Sequence, residues 1–344
     1  MKSVRSHLLN ISLLLLITGG VLFFIFRELS WYDVKEDLAT MHFGWFIAGA
    51  GAIILSWFFE AIVLHNMTNT DQTNVRFGST LKITMVGLLF NNITPSSSGG
   101  QPAQLFMLFK RGVDVSKASS VLLIKFILFQ TILVLLFLGI LVFGYQDLAA
   151  IVPNMKYFIL IGFIINLSVI TCLLLICFSK KSILILIRLV LYPISLVKKE
   201  LAEKWRDSLH EKVLTFHEES RRLIHERTLL LQCSMYTILQ LMFFLIVPYF
   251  VFLSLGYSEL SLFSAIAFHA FIMMFASVIP TPGGSGAGEY SFTLLFGTIV
   301  AQTDLLVGLL IWRILTAYSP AIIGALSFAI RLNKPKKEPT KGVS

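Results

Sequence analysis

Charge is scarce in this sequence. Asp, Glu, Lys and Arg make up 14% of its 344 residues, against 56% apolar. Soluble domains carry about 25% charged and about 45–50% apolar residues. Composition alone still permits a soluble fold of this length; the grouping of the apolar residues decides against it. Cysteine is also scarce. Cys172, Cys177 and Cys233 lie in apolar or near-apolar stretches, and their spacing fits neither a zinc site nor a disulfide framework. They read as small core residues. No cluster resembles a metal site, and no Ser–His–Asp or Cys–His arrangement can be argued from spacing. No cofactor and no catalytic residue is therefore expected. A signal-peptide cleavage site is missing as well. Lys2 and Arg5 would suit a basic leader, but the apolar run continues through GGVLFFIF with no A-x-A-like site. An uncleaved first span is expected.

Long apolar runs are plentiful. Leu8–Phe26, Phe43–Leu64, Val121–Phe143, Tyr157–Phe178, Thr228–Leu253 and Leu305–Ile330 each approach or exceed the roughly 20 residues that cross a bilayer. The expected class is an all-α polytopic membrane protein with about six full spans. The net charge of +9 could suggest nucleic acid, but its distribution follows the positive-inside rule.

With Lys2 and Arg5 in the cytoplasm, the first span leads to an acidic loop, Arg27–His42, which reads as outside. The second span returns to a loop with Arg76 and Lys82. The next stretch, Leu81–Gly112, ends in Lys110 and Arg111 on that same inner side. Its 32 residues are too few for two full crossings. A re-entrant hairpin fits, with TPSSSGGQ at its tip. Val121–Phe143 then crosses outward, GYQDLAAIVPN reads as a short outer loop, and Tyr157–Phe178 crosses back. Ser179–Arg227 is long, basic and cytoplasmic. Its first part, ILILIRLVLYPISLVKK, is expected in the interface, and its second, of mixed charge at helical spacing, as a solvated helix. Thr228–Leu253 crosses outward. Leu262–Ile279, PTPGGSGAGE and Tyr290–Val300 form a second broken pair, flanked by Glu259 and Asp304 and so opening outside. Leu305–Ile330 crosses in to a basic tail expected to be disordered. Of the 28 Lys and Arg residues, only Arg27, Lys35 and Lys156 fall outside in this threading.

The two tips match. ITPSSSGGQPAQLFMLF and PTPGGSGAGEYSFTLLF share Thr-Pro (Thr94-Pro95, Thr281-Pro282), small residues, and Ser-Gly (Ser98-Gly99, Ser285-Gly286). Each is followed by a span with a lone basic residue, Lys125 or Arg313. A broken hairpin plus a span thus occurs twice with opposite openings, as an inverted repeat. Repeats of this plan place the substrate site on unwound backbone at the repeat interface, and irregular backbone is tolerated only when buried in protein or facing water. The candidate binding and translocation residues are Asn91, Thr94, Pro95, Gly99, Gly100, Gln101, Gln104 and Lys125 of the first unit. Those of the second are Thr281, Pro282, Gly283, Gly284, Gly286, Glu289 and Arg313. Glycine lets backbone approach a ligand, and N–H groups at the start of a half-helix favour anions. Ionisable groups at membrane depth need a partner or water. Glu289 is the expected partner of Arg313, and Glu60 of Lys125. His269 reads as a hydrogen-bonded core residue. Together the two cations and the tips would line a wet cavity suited to phosphate head groups.

At these residues the chain resembles a known family. NNITPSSSGGQPAQ with its following basic span, and PTPGGSGAGE with WRILTAYSP, are similar to the membrane portion of lysylphosphatidylglycerol synthases (multiple peptide resistance factor) and its stand-alone flippase-like members. The resemblance covers about residues 7–332, one flippase-like transmembrane domain. Within it, residues 179–228 form a cytoplasmic connector between repeats, and 333–344 a basic tail. It implies a lipid flippase in the bacterial cell membrane with both termini cytoplasmic, moving an anionic or aminoacylated phospholipid such as lysyl-phosphatidylglycerol. The enzymatic alternative is phosphatidylglycerol lysyltransferase, the synthase name of stand-alone members, linked to lipid metabolism and cationic antimicrobial peptide resistance. A small-solute transporter is the third reading. The cytosolic acyltransferase domain of two-part members is not expected in these residues. The implied partners are a phospholipid, a separate lipid-modifying enzyme and a second copy of the chain. Nucleic acid is not among them, and tRNA would enter only with the lysyltransferase activity.

Overall fold

Hydrocarbon offers no hydrogen bonds, so apolar segments in lipid form helices and break only where something else satisfies the backbone. The computed structural model describes residues 40–69, 74–151, 155–178, 213, 215–279 and 281–329. The expected first span, the interfacial part of the connector and the basic tail lie outside these residues. The described residues are mostly helical, with no strand among them. The helices are α1 (Phe43–Thr68), α2 (Phe77–Ile93), α3 (Gly100–Lys110), α4 (Val115–Ile151), α5 (Met155–Phe178) and α6 (Arg227–Leu245). There follow α7 (Val247–Ser254), α8 (Leu262–Val278), α9 (Ala287–Phe296), α10 (Gln302–Arg313), a π-helical turn (Ile314–Tyr318) and α11 (Ser319–Ala329). Among the described residues four stretches are long and apolar enough to cross a membrane: Phe43–Thr68, Val115–Val142, Arg227–Ser254 and Gln302–Ala329. The chain is an all-α polytopic membrane protein.

Helices α2 and α3 form the first broken pair and α8 and α9 the second. At 17, 11, 17 and 10 residues, all four fall short of a full crossing. The break follows from the sequence. Proline has no N–H to continue a helix and drives the residue before it out of the helical region; Thr94, before Pro95, is extended at φ −119°. The turn then needs left-handed backbone. Gly283 and Gly284 supply it at φ 57° and 67°, and Ser96 and Ser97 adopt it at 50° and 52°.

The repeats lie against each other in opposite directions. Trp45 stacks on Phe250, while Phe59 stacks on Phe243 and Tyr236, so α1 runs antiparallel to α6 and α7. Helix α11 packs on α2, and α4 on α8. One apolar core surrounds α8–α10 with α1, α6 and α7, through Phe252, Phe268, Phe292 and Phe296. A second surrounds α2, α3 and the start of α4, through Leu64, Ile83, Leu108 and Val121.

Two sequence-based elements need correction, and two expected spans hold with a local break in each. Helix α4 continues through Gly144–Ile151, read as an outer loop, since no proline interrupts it before Pro153. The span expected over Thr228–Leu253 divides at Ile246, where Pro248 cannot continue the hydrogen-bond ladder. The last span contains the π turn directly after Arg313. The described part of the connector, helical over residues 215–225, is docked rather than solvated. His217, Ser220 and Leu223 are buried, and the Ser120 hydroxyl donates to the Phe216 carbonyl at 2.8 Å.

Close packing of α11 on α2 rests on Gly324. A Cβ there would lie 2.4 Å from the Met85 carbonyl oxygen and 2.7 Å from Leu89 Cβ. Gly324→Ala should destabilise the fold by about 1–3 kcal/mol, the usual cost of overpacking. Gly51→Ala, with nothing within 4 Å, should not. Thermal unfolding of the two purified variants in detergent measures the contrast; equal midpoints would contradict it.

Candidate functional site

Each tip closes onto its own half-helix. At the first, the Gly99 N–H donates to Thr94 Oγ1 at 2.8 Å and the Gly100 N–H to Asn91 Oδ1 at 3.0 Å. The Thr94 hydroxyl donates onward to the Phe90 carbonyl at 2.6 Å. Glycine is required at both positions. A Cβ at Gly100 would lie 2.1 Å from Asn91 Oδ1, and one at Gly99 2.5 Å from Thr94 Cγ2. At the second tip the Gly286 N–H donates to Glu289 Oε2 at 2.6 Å. These half-helix donors, expected to be open to anions, are thus occupied by the protein's own oxygens. Asn91 and Thr94 reach them from the end of α2, and Glu289 from the first turn of α9.

The tips touch. Pro95 and Pro282 form an antiparallel bridge, and the Ser96 N–H donates to the Thr281 carbonyl at 3.3 Å. Gly283 sits against Asn92, where a Cβ would lie 3.0 Å from the Asn92 carbonyl oxygen. The Thr281 hydroxyl oxygen is buried without a hydrogen-bond partner, unlike that of Thr94.

Arg313 holds the second tip. Its guanidinium is 2.6 Å from Glu289 Oε2, with the Arg313 side chain 8% exposed and that of Glu289 11%. It also donates to the Gly283 and Gly284 carbonyls at 3.4 and 3.3 Å and lies 4.7 Å from the Trp312 ring centre. Arg313 Nε is buried with no hydrogen-bond partner. The fork geometry of guanidinium suits this simultaneous grip on carboxylate and carbonyls. Tyr318, in the π turn, lies within electrostatic reach of both charges; such turns are frequent at functional sites.

The structure therefore brings Gly283, Gly284, Gly286, Glu289 and Arg313 together. Thr281 and Pro282 meet Pro95, and Asn91, Thr94, Gly99 and Gly100 form the first tip. Gln101 is half-buried at the start of α3. Gln104 is buried against α2, its Nε2 filling the place of a Cβ on Gly87. Lys125 goes elsewhere. Its Nζ is 2.7 Å from Glu60 Oε1, and the other oxygen of Glu60 accepts from Gln240 Nε2 at 3.4 Å. Arg313 binds its tip; Lys125 instead ties α4 to α1 and α6. Gly288 was missed in the sequence. A Cβ there would lie 2.6 Å from an Arg313 terminal nitrogen, and its place beside Glu289 in GAGE was the available signal.

Breaking a buried ion pair leaves an uncompensated charge and costs about 3–5 kcal/mol, while replacing both partners is often neutral. Lys125→Met should destabilise strongly, and Glu60→Gln/Lys125→Met should recover most of the loss. Thermal unfolding of the single and double variants checks this; equal losses in both would exclude the pair as the cause.

The lysylphosphatidylglycerol synthase TM region family matches residues 11–324. A UPF0104 membrane protein of Archaeoglobus fulgidus (strain ATCC 49558 / DSM 4304 / JCM 9628 / NBRC 100126 / VC-16) is 27% identical over 287 residues, covering 81% of this chain and 84% of that protein. The family match spans both broken hairpins, the tip contact and Arg313. This multi-pass membrane protein belongs to the lysylphosphatidylglycerol synthase transmembrane family.

Proposed function

We propose that the protein moves a phospholipid between leaflets of the cell membrane, its head group passing where the two tips meet. Both termini lie in the cytoplasm on this reading. The observation that supports it best is Arg313, a buried guanidinium held against unwound backbone by a carboxylate. A phosphate diester offers guanidinium the same paired oxygens as a carboxylate. An arriving anionic head group can replace Glu289 on Arg313, and the tip carbonyls can accept from a head-group ammonium or hydroxyl. Each charge keeps a partner throughout, which limits the desolvation penalty of crossing. Glu289, released from Arg313, still accepts from the Gly286 N–H. An aminoacylated lipid such as lysyl-phosphatidylglycerol would present both the anion and the cation to this set.

The test is a leaflet-resolved assay in proteoliposomes containing phosphatidylglycerol or its lysyl form. The intact protein should move at least one of them above protein-free vesicles. Arg313→Lys, which keeps charge but not the fork, and Arg313→Ala/Glu289→Ala, which leaves no unpaired charge, should each slow movement at least about tenfold. Folded protein that moves neither lipid, or variants that match the intact protein, would overturn the reading.

A further inference from the structure

His269 lies in the middle of α8 and is fully buried. Its two ring nitrogens connect α6 and α10. Trp312 Nε1–H donates to His269 Nε2 at 3.2 Å. His269 Nδ1 lies 3.2 Å from the Leu245 carbonyl oxygen. Because Trp312 can only donate, Nε2 carries the lone pair and Nδ1 carries the proton. One neutral tautomer satisfies both bonds. The ring also stacks on Phe244 at 4.8 Å between centres.

The Leu245 carbonyl is available for a physical reason. It ends α6, and the next helix is displaced by Pro248. The Tyr249 N–H, which would continue the ladder to Leu245, donates to the Ile246 carbonyl at 3.0 Å instead. The helix break thus provides the acceptor, His269 reads it, and Trp312 is fixed in turn. The Trp312 ring packs on Phe292 at 4.8 Å and supports the Arg313 guanidinium on its face. Arg313 grips the Gly283 and Gly284 carbonyls beside Pro282, which meets Pro95.

We propose that His269 is a positioning residue, which through Trp312 sets the place of Arg313 and so the contact between the two tips. The proposal rests on the translocation reading for what Arg313 does, but not for where Arg313 sits. Two readouts keep these apart. The first needs no transport. With Cys172 replaced by serine and the buried cysteines kept, Ser96→Cys and Thr281→Cys are joined by a short bifunctional thiol reagent. His269→Leu, which removes both ring hydrogen bonds and so frees the Trp312 N–H, should lower the cross-linking rate about tenfold. Trp312→Phe keeps a ring under the guanidinium and removes only the N–H; it should lower the rate similarly. The two losses should not add, because they cut one chain. His269→Gln, which can donate to Leu245 and accept from Trp312, should restore the rate. The second readout is movement of phosphatidylglycerol by the same variants without the cysteine pair, expected to follow the same order. An unchanged cross-linking rate in His269→Leu, additive losses, or no rescue by His269→Gln would overturn the proposal. Should His269→Leu fail to fold, Trp312→Phe against the intact protein carries the same decision. If the intact protein moves no phosphatidylglycerol or lysyl-phosphatidylglycerol, the translocation reading fails and the cross-linking result still decides the role of His269.

Discussion

A guanidinium inside a membrane protein must be matched, and the way Arg313 is matched organises the second repeat. Placing a charge in the bilayer costs about 2.5–3.5 kcal/mol even on insertion scales. Arg313 meets that cost with one carboxylate and two tip carbonyls. The same bonds supply a donor to the Gly283 carbonyl at the break and a second donor to the Gly284 carbonyl, which also accepts from the Gly288 N–H at 2.8 Å. Charge and irregular backbone are each unfavourable alone in lipid, and here each satisfies the other. Gly288 is small because the guanidinium must come this close.

The first repeat solves the same problem differently. Its tip is held from within, by Thr94 and Asn91 on the half-helix donors and by Ser98 on the Pro95 carbonyl. Its basic residue, Lys125, is paired with Glu60 on α1 and cross-links spans instead. An ammonium is a compact charge without the planar fork, and it suits a single carboxylate better than a spread of carbonyls. Two matched sequence units have thus diverged into one self-capped tip and one tip gripped by a neighbouring span.

Much of this was legible in the chain. Proline, glycine and hydroxyl clusters in apolar surroundings marked both tips, and the rarity of charge at depth singled out Lys125, Arg313, Glu60 and Glu289. Scarcity made these residues conspicuous and limited their choice of partner. What was not legible depends on geometry that periodicity does not carry. Whether a half-helix donor is free depends on one rotamer of Thr94 or Asn91. The docking of the connector was obscured because its buried stripe contains His217 and Ser220, which hydropathy does not mark. The extension of α4 was hidden by Tyr145, Gln146 and Asp147, polar residues that hydropathy does not distinguish from a loop. His269 was legible as a core residue, but its link between Leu245 and Trp312 required the displacement of the ladder at Pro248.

The asymmetry of the tips bears on which one responds to a ligand. Ser96 and Ser97 occupy left-handed backbone, which costs L-residues about 1–2 kcal/mol each. Gly283 and Gly284 adopt it without that penalty. The first tip is strained and fastened locally, so its shape does not depend on Arg313. The second is unstrained and fastened by Arg313, with the Thr281 hydroxyl and Arg313 Nε buried and unpartnered beside it. On the translocation reading, an anion that draws Arg313 away from Glu289 also loosens the grip on Gly283 and Gly284. The contact of Pro282 with Pro95 is then the next to weaken. Binding and opening would be one event at the second tip, with the first tip serving as the fixed surface it leaves.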